Sequence, residues 1–322
     1  MKRFSQSEAG AVVLWVVSAI LLAATISPWL YQGGKWFGGV SAAGDLNALA
    51  EWLGNACRRG DFSRYFSRSL VISGLVLLPF LFRRIRRIRA DTGAVGVAMR
   101  RFSGSSRLVQ IAAGCVIAGG MLWAMGAVLE TLGAYAPKSK MPGLGKLAGE
   151  ILPAVIGASL LEEWLFRGLL LGFWLKFSKP LAACLGTSLC FAFVHFLQPS
   201  AGVVIAAPGA PLAGFQLLGE ILLHFTDLRF FITDFATLFV IGMILAWARV
   251  RTGALWFSIG LHAGWILAFK AFNMMHQSVP AHSLQPWGRS LRSGVLPLLT
   301  LGLTAVICHW VLKCFEVKQT RD

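Results

Sequence analysis

Residues 151–175 read ILPAVIGASLLEEWLFRGLLLGFWL, an apolar run that is interrupted by Glu162, Glu163 and Arg167. A helix of about 20 apolar residues is long enough to cross the hydrocarbon core of a bilayer. Within that core a helix satisfies its own backbone hydrogen bonds, which an irregular segment cannot do. The run therefore predicts a transmembrane helix with three charged residues in its middle.

The rest of the chain has the composition of an integral membrane protein. Of its 322 residues, 56% are apolar and 14% are charged, whereas about a quarter of the residues in a soluble domain are charged. We predict an all-α fold, a polytopic bundle of about eight transmembrane helices that forms one membrane domain, residues 1–322. The spans are expected at 11–31, 68–82, 108–135, 147–177, 180–197, 230–248, 253–272 and 294–315, with a polar connection at 32–67 and a short helix at 210–224 that lies in the interface or re-enters the membrane.

The net charge of +16 is concentrated in one loop, where eight arginines stand from Arg83 to Arg107 against a single acid, Asp91. A dense basic loop between two apolar helices is typical of the cytoplasmic side, where it faces anionic lipid. No motif of a nucleic-acid-binding fold accompanies the arginines, so we expect anionic lipid and not nucleic acid as their partner. An even number of spans then predicts that both termini are cytoplasmic.

The three charges in the fourth span are expected to have different roles. A charged residue at the centre of a span costs about 2.5–3.5 kcal/mol and persists when it is paired, hydrated or used. Glu163 and Arg167 are four residues apart, so they can form an ion pair on one helix face. Glu162 points about 100° away from Glu163 and has no partner on its own helix. Glu162 is the candidate general base, with Glu163 and Arg167 as its support; a purely structural salt-bridge network is the alternative.

Two histidines lie in other predicted spans. His195 follows Phe191 by one helical turn, so the phenyl ring can wall the imidazole. His262 is flanked by small residues, including Gly260, which allow another helix to approach closely. A single histidine in a span is often only a hydrogen-bonding residue between helices. Together with Glu162, however, the two histidines can either hold a metal such as zinc or activate a water molecule directly.

The order of these residues resembles the CAAX-protease and bacteriocin-processing family of intramembrane proteases. The resemblance covers about 147–272 and rests on three motifs. They are Glu162-Glu163-x-x-x-Arg167, then Phe191-x-x-x-His195, then His262 on a later span.

The resemblance implies an eight-helix membrane bundle in a bacterial inner (plasma) membrane and a peptide hydrolase of glutamate or metallo type. Its substrate would be a membrane-associated peptide or protein. Glu162 and His195 would activate the attacking water, and His262 would help to stabilise the oxyanion. Where a divalent metal is required, Glu162, His195 and His262 would be its ligands.

One position departs from the family. An asparagine commonly stands four residues after the last histidine, and here that position is Ile266. Asn273 lies 11 residues beyond His262, about 16 Å along a helix, which is too far to replace it. Losing one oxyanion donor typically lowers a rate by about 10²–10³. The candidate replacements are the Trp265 indole, a backbone N–H near Gly264 and a group from 198–228.

Two other classes of function stay open. A transporter or channel would use Glu162, His195 and His262 as a proton or ion relay, although the sequence has no internal repeat of the kind that many transporters show. A non-catalytic membrane protein with the same fold is the alternative that Ile266 raises. The weaker polar candidates are Glu130, Glu150, Glu220, His224, Asp234, His276, His282 and His309.

Overall fold

The computed structural model describes residues 8–44, 47–92, 107–176, 178–197, 203–224, 234–279 and 290–319. Helices dominate these residues, which confirms the predicted all-α class. A π-helical segment, Glu163–Leu170, and two short strands, β1 (Tyr135–Pro137) and β2 (His276–Ser278), are also present. The α-helices are α1 (Glu8–Ala43), α2 (Ala48–Arg59), α3 (Phe62–Thr92), α4 (Arg107–Thr131), α5 (Leu144–Glu162), α6 (Leu171–Trp174), α7 (Pro180–His195), α8 (Ala213–His224), α9 (Ala236–Thr252), α10 (Trp256–Met275) and α11 (Val295–Gln319).

Among the described residues, fewer helices have both the length and the composition to span a membrane than the sequence predicts. The apolar helices α7 and α8 have 16 and 12 residues, short of the roughly 20 that cross a bilayer. The predicted count of eight spans is therefore not confirmed. Among the residues that the structure describes, five helices have the length and composition to cross: Gly10–Ala43, Phe62–Ile88, Arg107–Thr131, Leu144–Trp174 and Val295–Lys313.

The stretch 32–67, predicted as a polar connection, is largely helical. Helix α1 continues to Ala43, and α2 follows after a short break. The side chain of Asn47 caps α2 by accepting a hydrogen bond from the Ala50 N–H at 2.9 Å. Arg58 and Arg59 lie in the last turn of α2, where positive charge interacts favourably with the helix dipole. The polar composition of 32–67 therefore did not indicate this capped amphipathic helix.

Contacts within the chain divide it into two compact units. The first is Met1–Ala94 with Phe196–Leu228, and the second is Val95–His195 with Arg229–Asp322. In the first unit, α1 packs against α2, α3 and α8. In the second, α10 packs against α4 and α5, α7 packs against α9, and α11 contacts α4 and α9. All three predicted catalytic residues belong to the second unit. The single membrane domain stays a prediction.

Glycines allow α4 and α10 to lie in close contact. A Cβ atom on Gly114 of α4 would lie 2.6 Å from the Phe257 carbonyl oxygen of α10. In the opposite direction, a Cβ atom on Gly260 would overlap the Ile111 carbonyl oxygen. Small residues of this kind let membrane helices approach backbone to backbone. The close approach predicted beside His262 is thus present, and it fixes the part of α10 that carries the histidine.

We expect Gly260→Ala to destabilise the protein, because its methyl group would overlap backbone atoms that cannot rotate away. Overpacking of this kind costs about 1–3 kcal/mol, so the melting temperature in detergent should fall by at least about 2 °C. Thermal unfolding followed by tryptophan fluorescence measures the change.

The matched control is Gly120→Ala on α4, where a Cβ atom would have no atom within 4 Å. This variant should keep or slightly raise the melting temperature, because alanine favours a helix. Equal melting temperatures for the two variants would contradict the close packing of α4 on α10.

Candidate active site

The charged residues of the fourth predicted span lie where the helix changes its hydrogen-bond pattern. Glu162 is the last residue of α5, and Glu163 begins the π-helical segment. Segments of π-helix inside α-helices occur frequently at functional sites. Within this one, Glu163, Phe166, Arg167 and Leu170 are buried. The apolar spacing of the sequence gave no sign of this change.

The predicted ion pair between Glu163 and Arg167 is present and fully buried. Arg167 Nη1 donates to Glu163 Oε1 at 2.8 Å, and the exposed fraction of both side chains is 0%. Arg167 Nη2 also donates to the carbonyl oxygen of Gly242 in α9, at 3.4 Å. The guanidinium carbon lies 4.2 Å from the centre of the Phe191 ring in α7, within the range of a cation–π contact. The pair thus connects the π-helical segment with α7 and α9.

Glu163 has a second partner that the sequence did not reveal. Its Oε1 atom lies 3.0 Å from Nδ1 of His262 on α10. A carboxylate oxygen accepts hydrogen bonds, so His262 carries a proton on Nδ1 and donates it to Glu163. This contact turns His262 Nε2 toward Glu162, whose Oε2 atom is 3.8 Å away. Glu163 therefore orients one of the two predicted catalytic histidines.

The second histidine, His195, is oriented by a backbone group of its own helix. Its Nδ1 atom lies 2.8 Å from the Phe191 carbonyl oxygen, which can only accept, so the Nδ1 proton is donated there. Nε2 of His195 then lies 3.3 Å from Glu162 Oε2. The Phe191 and His195 rings are 4.2 Å apart between centres. Phe191 thus walls the imidazole, as the spacing predicts.

Glu162 has partners on two other helices. The sequence indicates no partner on its own helix, but both histidines contact it across the bundle. The Glu162 Oε2 atom itself is buried and makes no well-aligned hydrogen bond to the described residues. The side chains of Glu162 and His195 are each 28% exposed, whereas those of Glu163 and Arg167 are 0% exposed. Glu162 and His195 are therefore the more exposed members of the site.

The arrangement brings together three groups that can accept protons. With Nδ1 protonated, a neutral histidine presents a lone pair on Nε2. His195 and His262 both turn this atom toward Glu162 Oε2, which also accepts. Acceptors facing one another repel unless they share a proton or a donor lies among them. The cluster is thus suited to take protons from a water molecule.

A zinc site would need protein ligands at about 2.0–2.2 Å from the metal. Among the residues that the structure describes, no group of three histidine, cysteine, aspartate or glutamate side chains is arranged to hold a metal ion. No metal site is thus found among the described residues, and we derive the chemistry from the chain's own groups. Zinc held by Glu162, His195 and His262 stays a prediction.

Ile266 stands where the family commonly has an asparagine. Two of the three candidates to replace that asparagine as a donor are already engaged in contacts between helices. Trp265 is buried in an apolar cluster that includes Ala118 of α4 and Leu301 of α11. A Cβ atom on Gly264 would overlap the backbone of α4. The third candidate source, 198–228, lies partly outside the described residues. Nε2 of His262 lies 3.8 Å from Glu162 Oε2, and it can donate a hydrogen bond when it is protonated.

The weaker polar candidates make other contacts. Asp234 accepts a hydrogen bond from the Ser293 hydroxyl at 2.9 Å, and His309 stacks on Trp247. His276 Nε2 lies 3.3 Å from Glu130 Oε2, where β1 and β2 pair as antiparallel strands. Glu150 and Glu220 are exposed. His282 and the side chain of His224 lie outside the described residues.

Comparison with known proteins supports the resemblance drawn from the motifs. A family model described as type II CAAX prenyl endopeptidase Rce1-like matches residues 145–268. The matched region contains Glu162, His195 and His262 and leaves the rest of the chain unmatched. No curated protein and no solved structure in the comparison matches the chain.

We expect the buried ion pair to show strong coupling in a double-mutant cycle. Removing one member of a buried pair typically costs about 3–5 kcal/mol, because the other charge stays buried alone. Glu163→Gln and Arg167→Met should therefore each lower the melting temperature in detergent by many degrees. The double variant should recover much of the loss, and glutamine retains an oxygen that can accept from His262. If the double variant's fall in melting temperature equals the sum of the two single falls, Glu163 and Arg167 do not neutralise each other.

Proposed function

We propose that this chain is an intramembrane endopeptidase that hydrolyses a peptide bond of a membrane-associated substrate. The observation that supports this function is the convergence of Glu162 Oε2 with Nε2 of His195 and Nε2 of His262. The three atoms come from α5, α7 and α10, and all lie in the region matched by the CAAX prenyl endopeptidase model.

In the proposed reaction, Glu162 and His195 position and activate the nucleophile. A water molecule donates one hydrogen bond to Glu162 Oε2 and the other to His195 Nε2. Its oxygen then attacks the scissile carbonyl carbon while Glu162 takes a proton from it. A new C–O bond forms, and the carbonyl π electrons move onto the carbonyl oxygen. General-base catalysis of this kind contributes about 10²–10⁴ in rate.

His262 is proposed to stabilise the negative oxygen of the tetrahedral intermediate. Its Nδ1–H donates to the buried Glu163 carboxylate, which fixes the orientation of the ring. When Nε2 also carries a proton, it can donate a hydrogen bond to the oxyanion. When the intermediate collapses, the C–N bond breaks and Glu162 returns its proton to the leaving amine nitrogen. Glu162 is then a carboxylate again, ready for the next water.

The substrate is proposed only by class. The description of the matched family names a CAAX prenyl endopeptidase, and no residue contact in this chain singles out a prenyl group. A peptide or protein held in or on the bilayer is the common element. Under the same proposal the chain lies in a bacterial inner membrane with both termini cytoplasmic. The 83–107 region, whose arginines suit anionic lipid, supports that orientation.

Glu162→Gln should abolish proteolysis while leaving the fold intact, because the amide cannot take a proton from water. Cells that express wild-type protein or the variant can be compared by quantitative mass spectrometry of the peptide termini of their membrane proteins. New termini should appear with the wild type and be absent with Glu162→Gln and with His195→Ala.

The matched control is Glu150→Gln, a change of the same chemistry at an exposed position of the same helix, which should leave the termini unchanged. Termini that persist in Glu162→Gln would refute Glu162 as the base. Loss of termini in Glu150→Gln as well would attribute the effect to expression or insertion.

Ile266→Asn should accelerate the reaction, because it restores a hydrogen-bond donor one helical turn from His262. One oxyanion donor is worth about 10²–10³ in rate, so we expect kcat on a substrate found by the terminal analysis to rise at least about tenfold. KM should change little, since the donor acts on the transition state. Ile266→Leu is the apolar control. An unchanged kcat in a folded Ile266→Asn variant would mean that another group already fills this role.

A further inference from the structure

A groove lies between parts of α1 and α3 in the first unit. It encloses a cavity of about 490 Å³, within the range of about 300–1,000 Å³ that is usual for ligand sites. Residues near the start of α1 and residues near the end of α3 line it together, so the two helices run in opposite directions here. Its walls include Leu14 and Trp15 of α1 and Phe80 and Leu81 of α3. Most of the lining is apolar.

Trp15 lines the groove and contacts the backbone of α3. Its indole Nε1 donates to the carbonyl oxygen of Gly74 at 3.2 Å. A Cβ atom on Gly74 would lie 3.5 Å from the indole ring, so the glycine allows the ring to lie directly against the α3 backbone. The groove extends along α3 to the edge of its apolar span, which ends at Ile88.

Three arginines line that end of the groove. Arg83, Arg84 and Arg87 belong to the last part of α3, and their side chains are exposed. No acidic residue is among the described residues that line the cavity. Arg83 and Arg87 are four residues apart, and like charges at that spacing repel on a helix. An anion bound between them removes the repulsion, and guanidinium groups bind phosphate oxygens in bidentate fashion.

We propose that this groove binds one anionic phospholipid. The phosphate group lies among Arg83, Arg84 and Arg87, and an acyl chain runs into the apolar part between Leu14, Phe80 and Leu81. The combination selects for an anionic lipid, because a free anion would leave the apolar walls unused and a neutral lipid would bring no net negative charge to the end of the groove that the arginines line. The site differs from general attraction of the basic loop to the membrane surface, because it is built from two helices and has a defined depth.

The test compares two neighbouring arginines that differ in their position relative to the groove. Arg86 is exposed on the same helix but does not line the cavity, so Arg86→Gln changes the net charge exactly as Arg87→Gln does. Detergent-purified, delipidated full-length protein is titrated with phosphatidylglycerol or phosphatidylcholine of identical acyl chains, and bound lipid is counted by native mass spectrometry.

We expect one phosphatidylglycerol to bind in preference to phosphatidylcholine. Arg83→Gln and Arg87→Gln should each weaken its binding at least about tenfold, the usual effect of losing a hydrogen bond to a charged group. Arg86→Gln should leave it unchanged. Equal losses in Arg86→Gln and Arg87→Gln would overturn the groove as the site. Full competition by glycerophosphoglycerol or inorganic phosphate would overturn the lipid as its occupant.

Discussion

Neutralising buried charge is the constraint on which the second unit depends. Glu163 and Arg167 are both fully buried, so their charges must be balanced by groups within the protein. One carboxylate oxygen, Glu163 Oε1, accepts from both Arg167 and His262. Through these bonds and the Gly242 carbonyl, the π-helical segment, α9 and α10 share one polar centre. Phe191 adds α7 through its ring against the guanidinium.

The local part of this arrangement could be predicted from the sequence. The helical membrane class follows from apolar composition, the Glu163–Arg167 pair from a four-residue spacing and the Phe191–His195 contact from another. The predicted count of eight spans is not confirmed, and apolar runs extend past helix ends, as at 180–197. The contact of Glu163 with His262 could not be predicted either, since it joins residues 99 positions apart and depends on how the π-helical segment and α10 pack.

In the structure, the residues of the candidate site fall into a partly exposed group and a buried group, a division that the sequence only partly indicates. Glu162 and Glu163 are adjacent, yet one is partly exposed and faces two histidine nitrogens, while the other is sealed beside Arg167. The resemblance to a protease family suggested that Glu162, His195 and His262 act together. The helical periodicity of each span, however, does not predict that three helices meet at one point. That convergence depends on packing such as the glycine contact of α4 with α10.

Because of the π-helical segment, apolar periodicity in the sequence does not predict how this region is organised. A π-helix closes its hydrogen bonds over five residues, one more than an α-helix. Passing through the segment therefore shifts the phase of the helix, so residues before and after it reach the interior from different angular positions. No single stripe of apolar side chains can describe such a helix. The two adjacent glutamates lie at this phase shift, where neighbours in sequence face the two nitrogens of one imidazole ring.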